Sequence, residues 1–250
     1  MPLYETESLV LKSYNLAEAD RIVLLFTREY GLVRAVAKGA KRLKSRFGST
    51  LEPFSTVHLT YFQKEDRELV SIQNIELLSS SFEQASSPSY LQTFSYVADL
   101  LSSFLPPHDP NETLYRMVKA CVGVPANTSE DLAAVRLYFE VWLLRLGGFL
   151  PNWDTCDVCK RALDASESAD VQADFSLLCS GCRKTWGGST VSGIHREIFR
   201  RVQKLAPTEF IEFANGKIDE VLRVSGILKR IIGNVIGKEV ASEKSFALHF

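Results

Sequence analysis

Residues 6–15 (TESLVLKSYN), 20–31 (DRIVLLFTREYG) and 32–39 (LVRAVAKG) decide the fold class of this chain. These segments are short, rich in Val, Leu, Ile and Phe, and bounded by polar residues or Gly, which is the pattern of β-strands. Two similar segments follow at 55–63 (STVHLTYFQ) and 68–78 (ELVSIQNIELL). Because no long helical pattern lies among the five, they predict a small barrel, closed or partly closed.

The order of the five predicted strands fits an OB-fold, whose exposed face and connecting loops commonly bind single-stranded nucleic acid. Periodicity alone does not separate this barrel from an SH3-like one, so both remain open at this point. In either barrel, the residues between the third and fourth strands form an excursion from the sheet.

That excursion contains the basic segment, Arg34–Arg46, which reads RAVAKGAKRLKSR and has no acidic residue, although the whole chain has a formal charge of −1. Clustered like charges repel one another and need a compensating partner, most simply a polyanion. Their spacing suits a line of phosphates better than one small anion. The predicted nucleic-acid contacts are Arg34, Lys38, Lys41, Arg42, Lys44 and Arg46. A loop solvated only by water is the alternative.

Aromatic side chains near these charges could stack on bases. The candidates are Tyr14, Tyr30, Phe47, Phe54, Tyr61 and Phe62. Most aromatics in so small a barrel belong to its core. Phe47 is the strongest stacking candidate because it directly follows Arg46.

A serine-rich stretch after residue 78 predicts a domain boundary, with a barrel domain at 1–80 and a mainly helical domain at 81–250. Helical periodicity is present at 90–105, 111–122, 131–149, 195–206 and 216–237. Thr128 and Asp131 resemble a capping box before the third of these helices. The overall class predicted is therefore α+β.

Two cysteine pairs, Cys156/Cys159 and Cys179/Cys182, are separated by 19 residues (179 − 159 − 1), a spacing that fits a four-cysteine zinc site. Four thiolates fill the tetrahedron of a Zn²⁺ ion and leave no position for substrate, so one structural zinc is predicted, in an insertion at about 153–186. Gly181 is expected to ease the second turn. Cys121 lies on the apolar face of a predicted helix and is expected in the core.

The N-terminal residues lack the basic and apolar regions of a signal peptide, and no apolar run is long enough to span a bilayer. A reducing cytoplasm is therefore the expected location, which favours metal ligands over disulfides. Phosphate loops, dinucleotide fingerprints, HExxH and GxSxG are all missing, so no enzymatic activity is predicted. A four-residue period places several cations on one side of a predicted helix: Arg196, Arg200 and Lys204, with Arg201 beside them. They are either an exposed helical face or a secondary phosphate contact.

Taken together, these features resemble the RecO family of bacterial DNA repair proteins. The resemblance covers nearly the whole chain. It rests on residues 7–54 (ESLVLK to LEPF), 94–101 (FSYVADLL), 138–156 (YFEVWLLRLGGFLPNWDTC) and the paired CxxC motifs. The residues from 7 to 54 are the more diagnostic part, because four-cysteine ribbons occur in many unrelated proteins.

The resemblance implies an OB-fold, a helical domain and a zinc-binding insertion in a recombination mediator without enzymatic turnover. Such proteins bind single- and double-stranded DNA, anneal complementary strands, and act with RecR to load RecA onto strands covered by single-strand-binding protein (SSB). The family's basic barrel face corresponds to the basic segment, and its metal ligands to Cys156, Cys159, Cys179 and Cys182. The acidic SSB tail is expected to bind the helical domain, near Arg196 and Arg200.

Two other functions remain open. One is a zinc-containing scaffold whose basic segment binds an acidic protein. The other is a zinc-dependent nucleic-acid enzyme, which would cleave or deaminate its substrate.

Overall fold

A computed structural model describes residues 2–64, 68–183 and 188–237. Residues 184–186 of the predicted zinc insertion and the last 13 residues of the predicted helical domain (250 − 237 = 13) lie outside these ranges. The chain divides into two compact units between Gly123 and Val124. They are called unit 1 and unit 2.

Unit 1 begins with a closed five-stranded barrel in the order β1-β2-β3-β5-β4. The strands are β1 (Leu3–Asn15), β2 (Arg21–Thr27), β3 (Gly31–Ala37), β4 (Thr56–Phe62) and β5 (Leu69–Ser79). All pairs are antiparallel except β3 and β5, which are parallel. The strand order with its parallel β3–β5 pair identifies the OB-fold rather than the SH3-like alternative. The predicted α+β class is confirmed.

Strand β1 closes the barrel because it is long enough to pair with two neighbours. Its first half, Leu3 to Leu9, pairs with β4, and the half from Ser8 to Asn15 pairs with β2. The register with β2 shifts between Val10 and Lys12. A bulge of this kind bends a strand and increases its twist, so β1 can follow the barrel wall.

The barrel interior is filled by alternate side chains of the strands, as the period of two requires. Val23 and Leu25 of β2, for example, are fully buried in the same cluster as Val57 and Leu59 of β4. A 3-10 helix, Gly48–Leu51, lies between β3 and β4 and contributes Leu51 to this core. The excursion therefore also supplies part of the barrel's packing.

In the described part of unit 1, the barrel is followed by three helices: α1 (Phe82–Ala85), α2 (Pro88–Phe104) and α3 (Glu112–Val122). Helix α2 packs its rings on the barrel, with Phe94 centred 5.3 Å from Phe54. Helix α3 reaches the barrel through Tyr115, whose hydroxyl donates to the Glu7 carboxylate at 3.0 Å. Cys121 is buried in α3, as predicted. The proposed domain boundary near residue 80 stays a prediction.

Unit 2 contains α4 (Ser129–Leu146), α5 (Gly193–Val202), α6 (Pro207–Ala214) and α7 (Ile218–Ile236). The predicted capping box of α4 is present, with the Asp131 N–H donating to Thr128 Oγ1 at 3.1 Å. Trp142 of α4 donates its ring N–H to the Val202 carbonyl at 3.1 Å, which joins α4 to the end of α5. Helix α6 has no counterpart in the sequence analysis.

Between α4 and α5 lies a small sheet of three antiparallel strands, β6 (Ala169–Val171), β7 (Leu177–Cys179) and β8 (Ser189–Val191), in the order β7-β6-β8. Strand β7 ends at Cys179, so the sheet fixes the position of the second cysteine pair. Among the residues that the structure describes, no helix is both long and apolar enough to span a membrane.

Candidate nucleic-acid interface and metal centre

The basic segment starts on β3 and continues into the loop before β4, as predicted. Its loop is tied to the β1–β2 connection by two hydrogen bonds. The Gly39 N–H donates to the Asp20 carboxylate at 2.7 Å, and the Lys41 N–H donates to the Ala19 carbonyl at 2.9 Å. Gly39 has φ +73°, a conformation that glycine adopts without strain. The loop is therefore held in place, although its side chains point outward.

All six predicted contact residues have exposed side chains. Arg34 forms an ion pair with Glu68, at 3.0 Å between Nη1 and Oε1. An exposed pair of this kind contributes little stability, so Arg34 could exchange its partner at small cost. Among the described residues, no carboxylate forms an ion pair with the other five. The segment thus presents uncompensated positive charge.

Arg46 differs from its neighbours because it anchors the end of the loop. Its Nη2 donates to the Ile72 carbonyl at 3.1 Å, and its guanidinium lies 5.0 Å from the ring centre of Phe47. Phe47 itself is 1% exposed and belongs to the barrel core. The prediction that Phe47 stacks on a base is therefore wrong, because its ring fills the barrel interior.

Of the six candidate aromatics, Tyr14 is exposed, whereas Tyr30 and Phe62 are half-buried. Tyr14 is 52% exposed and lines a cleft of about 570 Å³ in unit 1, together with Lys12, Arg34 and Glu68. Phe54 and Tyr61 are buried. The sequence placed Tyr14 among six candidates, but only the three-dimensional arrangement separates it from the core rings.

The four predicted metal ligands come together in unit 2. The Sγ atoms of Cys156, Cys159, Cys179 and Cys182 all lie within 4.8 Å of one another. The Cys159 and Cys179 sulfurs are 3.9 Å apart, far beyond a disulfide bond of about 2.05 Å. Four sulfurs bound to Zn²⁺ at about 2.3 Å would lie about 3.8 Å apart. The cluster therefore has the dimensions of a metal-binding site.

Backbone groups around the cysteines favour the thiolate form that binds metals. Burial raises the pKa of the Cys156 thiol, but N–H groups of Cys179, Cys159 and Val158 that point at the sulfur lower it to about 6. By contrast, contacts with the Cys179 and Cys159 thiols raise the pKa of Cys182 to about 12. Four neighbouring thiolates repel one another, so full ionisation requires a cation between them.

The two turns that carry the cysteines are closed by backbone hydrogen bonds. The Lys160 N–H donates to the Cys156 carbonyl at 2.9 Å, and the Cys182 N–H donates to the Cys179 carbonyl at 3.0 Å. A Cβ added at Gly181 would meet nothing within 4 Å, and its φ is not positive. The second turn therefore does not need glycine, contrary to expectation.

Arg196 does not lie on an exposed helix face. It is 1% exposed, and its guanidinium donates to the carbonyls of Trp153 at 2.8 Å and Leu163 at 3.2 Å. Further bonds reach the carbonyls of Asp164 at 2.7 Å and Glu167 at 3.0 Å. A phosphate contact by the Arg196 side chain is therefore a wrong prediction, whereas binding of the SSB tail near Arg196 and Arg200 stays a prediction. The residue connects α5 to the backbone around the cysteine cluster.

The other cations of α5 remain accessible. Arg200 lies 3.7 Å from the Asp154 carboxylate, and Arg201 lies 3.5 Å from that of Glu197. With Lys204 they line an open cavity of about 730 Å³ in unit 2. A secondary phosphate contact at this position stays a prediction.

Comparison with known proteins agrees with this architecture. A family model described as Recombination protein O N terminal matches residues 1–81, and one described as Recombination protein O C terminal matches residues 87–243. The chain belongs to the RecO family. This family comprises DNA repair and recombination proteins.

Several curated RecO proteins are similar to the chain. The DNA repair protein RecO of Koribacter versatilis is 35% identical over 164 residues, which are 65% of this chain and 66% of the relative. That of Geobacter metallireducens is 32% identical over 71% of each chain. The RecO protein of Syntrophus aciditrophicus is 27% identical over 96% of this chain and 94% of its own. The first alignment spans slightly less than two thirds of the relative.

Proposed function

We propose that the chain is a non-enzymatic recombination mediator in DNA repair, which binds single- and double-stranded DNA through the basic segment and anneals complementary strands. One observation carries this proposal. Six exposed cations follow one another on an OB-fold barrel, and five of them lack an ion-pair partner among the described residues. Membership of the RecO family supports the same function.

The proposed mechanism is electrostatic. Two DNA strands repel each other through their phosphates, and a cationic surface screens this repulsion as it displaces counterions. Phosphate contacts position a strand without reading its sequence. The bases thus stay free to pair with a complementary strand.

Tyr14 extends the proposed interface from phosphates to bases. Its exposed ring lines the same cleft as Arg34, so a strand whose phosphates contact Arg34 could stack a base on Tyr14. Stacking on an aromatic ring tolerates every base. Stacking on Tyr14 would favour single strands over duplexes, because the bases of a single strand are accessible.

An annealing assay with two dye-labelled complementary oligonucleotides tests the proposed function. We expect the protein to accelerate annealing without a nucleotide cofactor. We expect Tyr14→Ala to lower the affinity for single-stranded DNA about fivefold, because one stacked base is lost. Tyr14→Phe, which keeps the ring, should match the unaltered protein. No acceleration of annealing would contradict the function, and equal affinity of Tyr14→Ala would contradict the stacking role.

The same proposal assigns one structural Zn²⁺ ion to the cysteine cluster. Its support is the all-sulfur ligand set and the separation of the sulfur atoms. Thiolate ligands in a tetrahedron favour zinc, and four protein ligands leave no place for substrate. The ion would hold together the two turns that carry the cysteines.

Metal analysis after extensive dialysis should find one zinc per chain. Cys156→Ser combined with Cys179→Ser should lose the metal and lower the thermal stability of the protein, because metal binding is coupled to folding. Cys121→Ser is the matched control, since Cys121 lies outside the cluster. Full stability of the metal-free double variant would contradict a structural role.

Partners follow from the family and stay proposals for this chain. They are RecR, the C-terminal tail of SSB and, indirectly, RecA, with association at the nucleoid during repair. The scaffold alternative, in which the basic segment binds an acidic protein, would give no DNA binding at physiological salt. The enzyme alternative would give metal-dependent cleavage or deamination of the oligonucleotides.

A further inference from the structure

An apolar side chain stands in the middle of the basic segment. Leu43 is 102% exposed, whereas the other exposed large hydrophobic residues of the described chain range from 37% to 66%. An exposure this high leaves the leucine without packing against the rest of the protein. Stability of the fold therefore gives no reason for a leucine here, which indicates an external partner.

The backbone presents Leu43 in a defined position. The Ser45 N–H donates to the Arg42 carbonyl at 2.9 Å, which closes a turn with Leu43 and Lys44 at its corner. On one side, the Lys41 N–H is bonded to the Ala19 carbonyl at 2.9 Å. On the other side, Phe47 is buried in the barrel. The turn is thus anchored at both ends, and its tip carries the leucine.

The neighbours of Leu43 restrict what can cover it. Lys41, Arg42 and Lys44 are all exposed and form no ion pair with a carboxylate among the described residues. Because these cations are sequence neighbours of Leu43, a partner must offer an apolar surface with several negative charges close beside it. A nucleic-acid strand meets this requirement, because its bases have apolar faces and its backbone is anionic.

We propose that Leu43 is a wedge that enters between neighbouring bases of a DNA strand while the flanking cations hold its phosphates. This inference rests on the proposed function, because it requires DNA on the basic segment. Apolar side chains inserted between base steps unstack them. Leucine has no hydrogen-bonding group, so the wedge reads no sequence. The insertion separates the faces of two neighbouring bases and leaves their hydrogen-bonding edges free for an incoming complementary strand.

The test uses a single-stranded oligonucleotide with 2-aminopurine at its centre, whose fluorescence rises when the base is unstacked. Saturating unaltered protein should raise this fluorescence. With Leu43→Ala, most of this fluorescence rise should disappear. The affinity should fall about fivefold, as expected for one lost base contact. The slope of log affinity against log salt should stay unchanged, because the cations are still present. Leu43→Phe, which keeps a wedge, should restore the rise. Leu222→Ala, at a 43% exposed leucine of α7, is the control.

The outcomes separate the wedge from the interface itself. If Leu43→Ala saturates with the full fluorescence rise and unaltered affinity, the leucine faces another partner and the wedge is overturned, while DNA binding by the basic segment stands. If the unaltered protein binds no DNA, both proposals fail. Because Leu43 makes no packing contact, its replacement should leave the thermal transition unchanged, and this control excludes misfolding as the cause of a loss.

Discussion

Replacement of Lys41, Arg42 and Lys44 by Glu is expected to lower the affinity for single- and double-stranded DNA about 100-fold or more at moderate salt. Each substitution removes a cation that can displace a counterion from the phosphates and adds a repelling carboxylate. None of the three side chains is buried, so the fold should survive. Fluorescence anisotropy with labelled oligonucleotides measures the affinity, and circular dichroism checks the fold.

A matched triple variant separates position from net charge. This variant replaces three exposed arginines of α3 and α7 by glutamate and changes the net charge by the same amount as the first triple variant. The substitutions are Arg116→Glu, Arg223→Glu and Arg230→Glu. This control should lose far less affinity, because its changes lie outside the basic segment. Equal losses in both triple variants would mean that overall charge, and not the basic segment, governs binding.

Replacement of Arg196 by Ala is expected to lower the free energy of unfolding of unit 2 by about 3 kcal/mol or more. The guanidinium donates to four backbone carbonyls, and buried carbonyls without a donor are costly. Chemical denaturation followed by tryptophan fluorescence measures the loss, since Trp153 packs against Phe199 of α5 with ring centres 4.2 Å apart.

Arg196→Lys should recover only part of this stability, because an ammonium group cannot reproduce the planar fork of donors. Arg201→Ala is the control: its side chain is exposed and forms an i,i+4 pair with Glu197, which contributes a few tenths of a kcal/mol. A cost below about 1 kcal/mol for Arg196→Ala would show that water replaces the lost donors.

Most of the barrel could be predicted from the sequence, and so could the identity of the four cysteines that come together. Short segments rich in Val, Leu, Ile and Phe are a local signal, and each of the five predicted segments overlaps a strand of the barrel. Cysteine pairs with two-residue spacers give a local geometry that leaves few alternatives. The OB-fold was separated from the SH3-like barrel only by the parallel pairing of β3 with β5, a long-range contact.

Phe47 and Arg196 show why other predictions failed. Phe47 follows a run of cations, but its ring turns into the barrel while Arg46 lies over it. Arg196 shares a four-residue period with exposed cations, yet backbone from a segment about 30 to 40 residues away surrounds it. Helical periodicity describes positions on one helix and does not show which distant carbonyls will cover them.

The central claim is that DNA binds the basic segment through its phosphates. Fluorescence anisotropy of labelled single- and double-stranded oligonucleotides across a salt series tests this claim most directly. We predict a linear, steep fall of log affinity with log salt, with similar slopes for unrelated sequences, because each neutralised phosphate contributes a slope of about −0.7 to −0.9. Flat salt dependence, or no binding at physiological salt, would contradict the claim and favour the scaffold alternative.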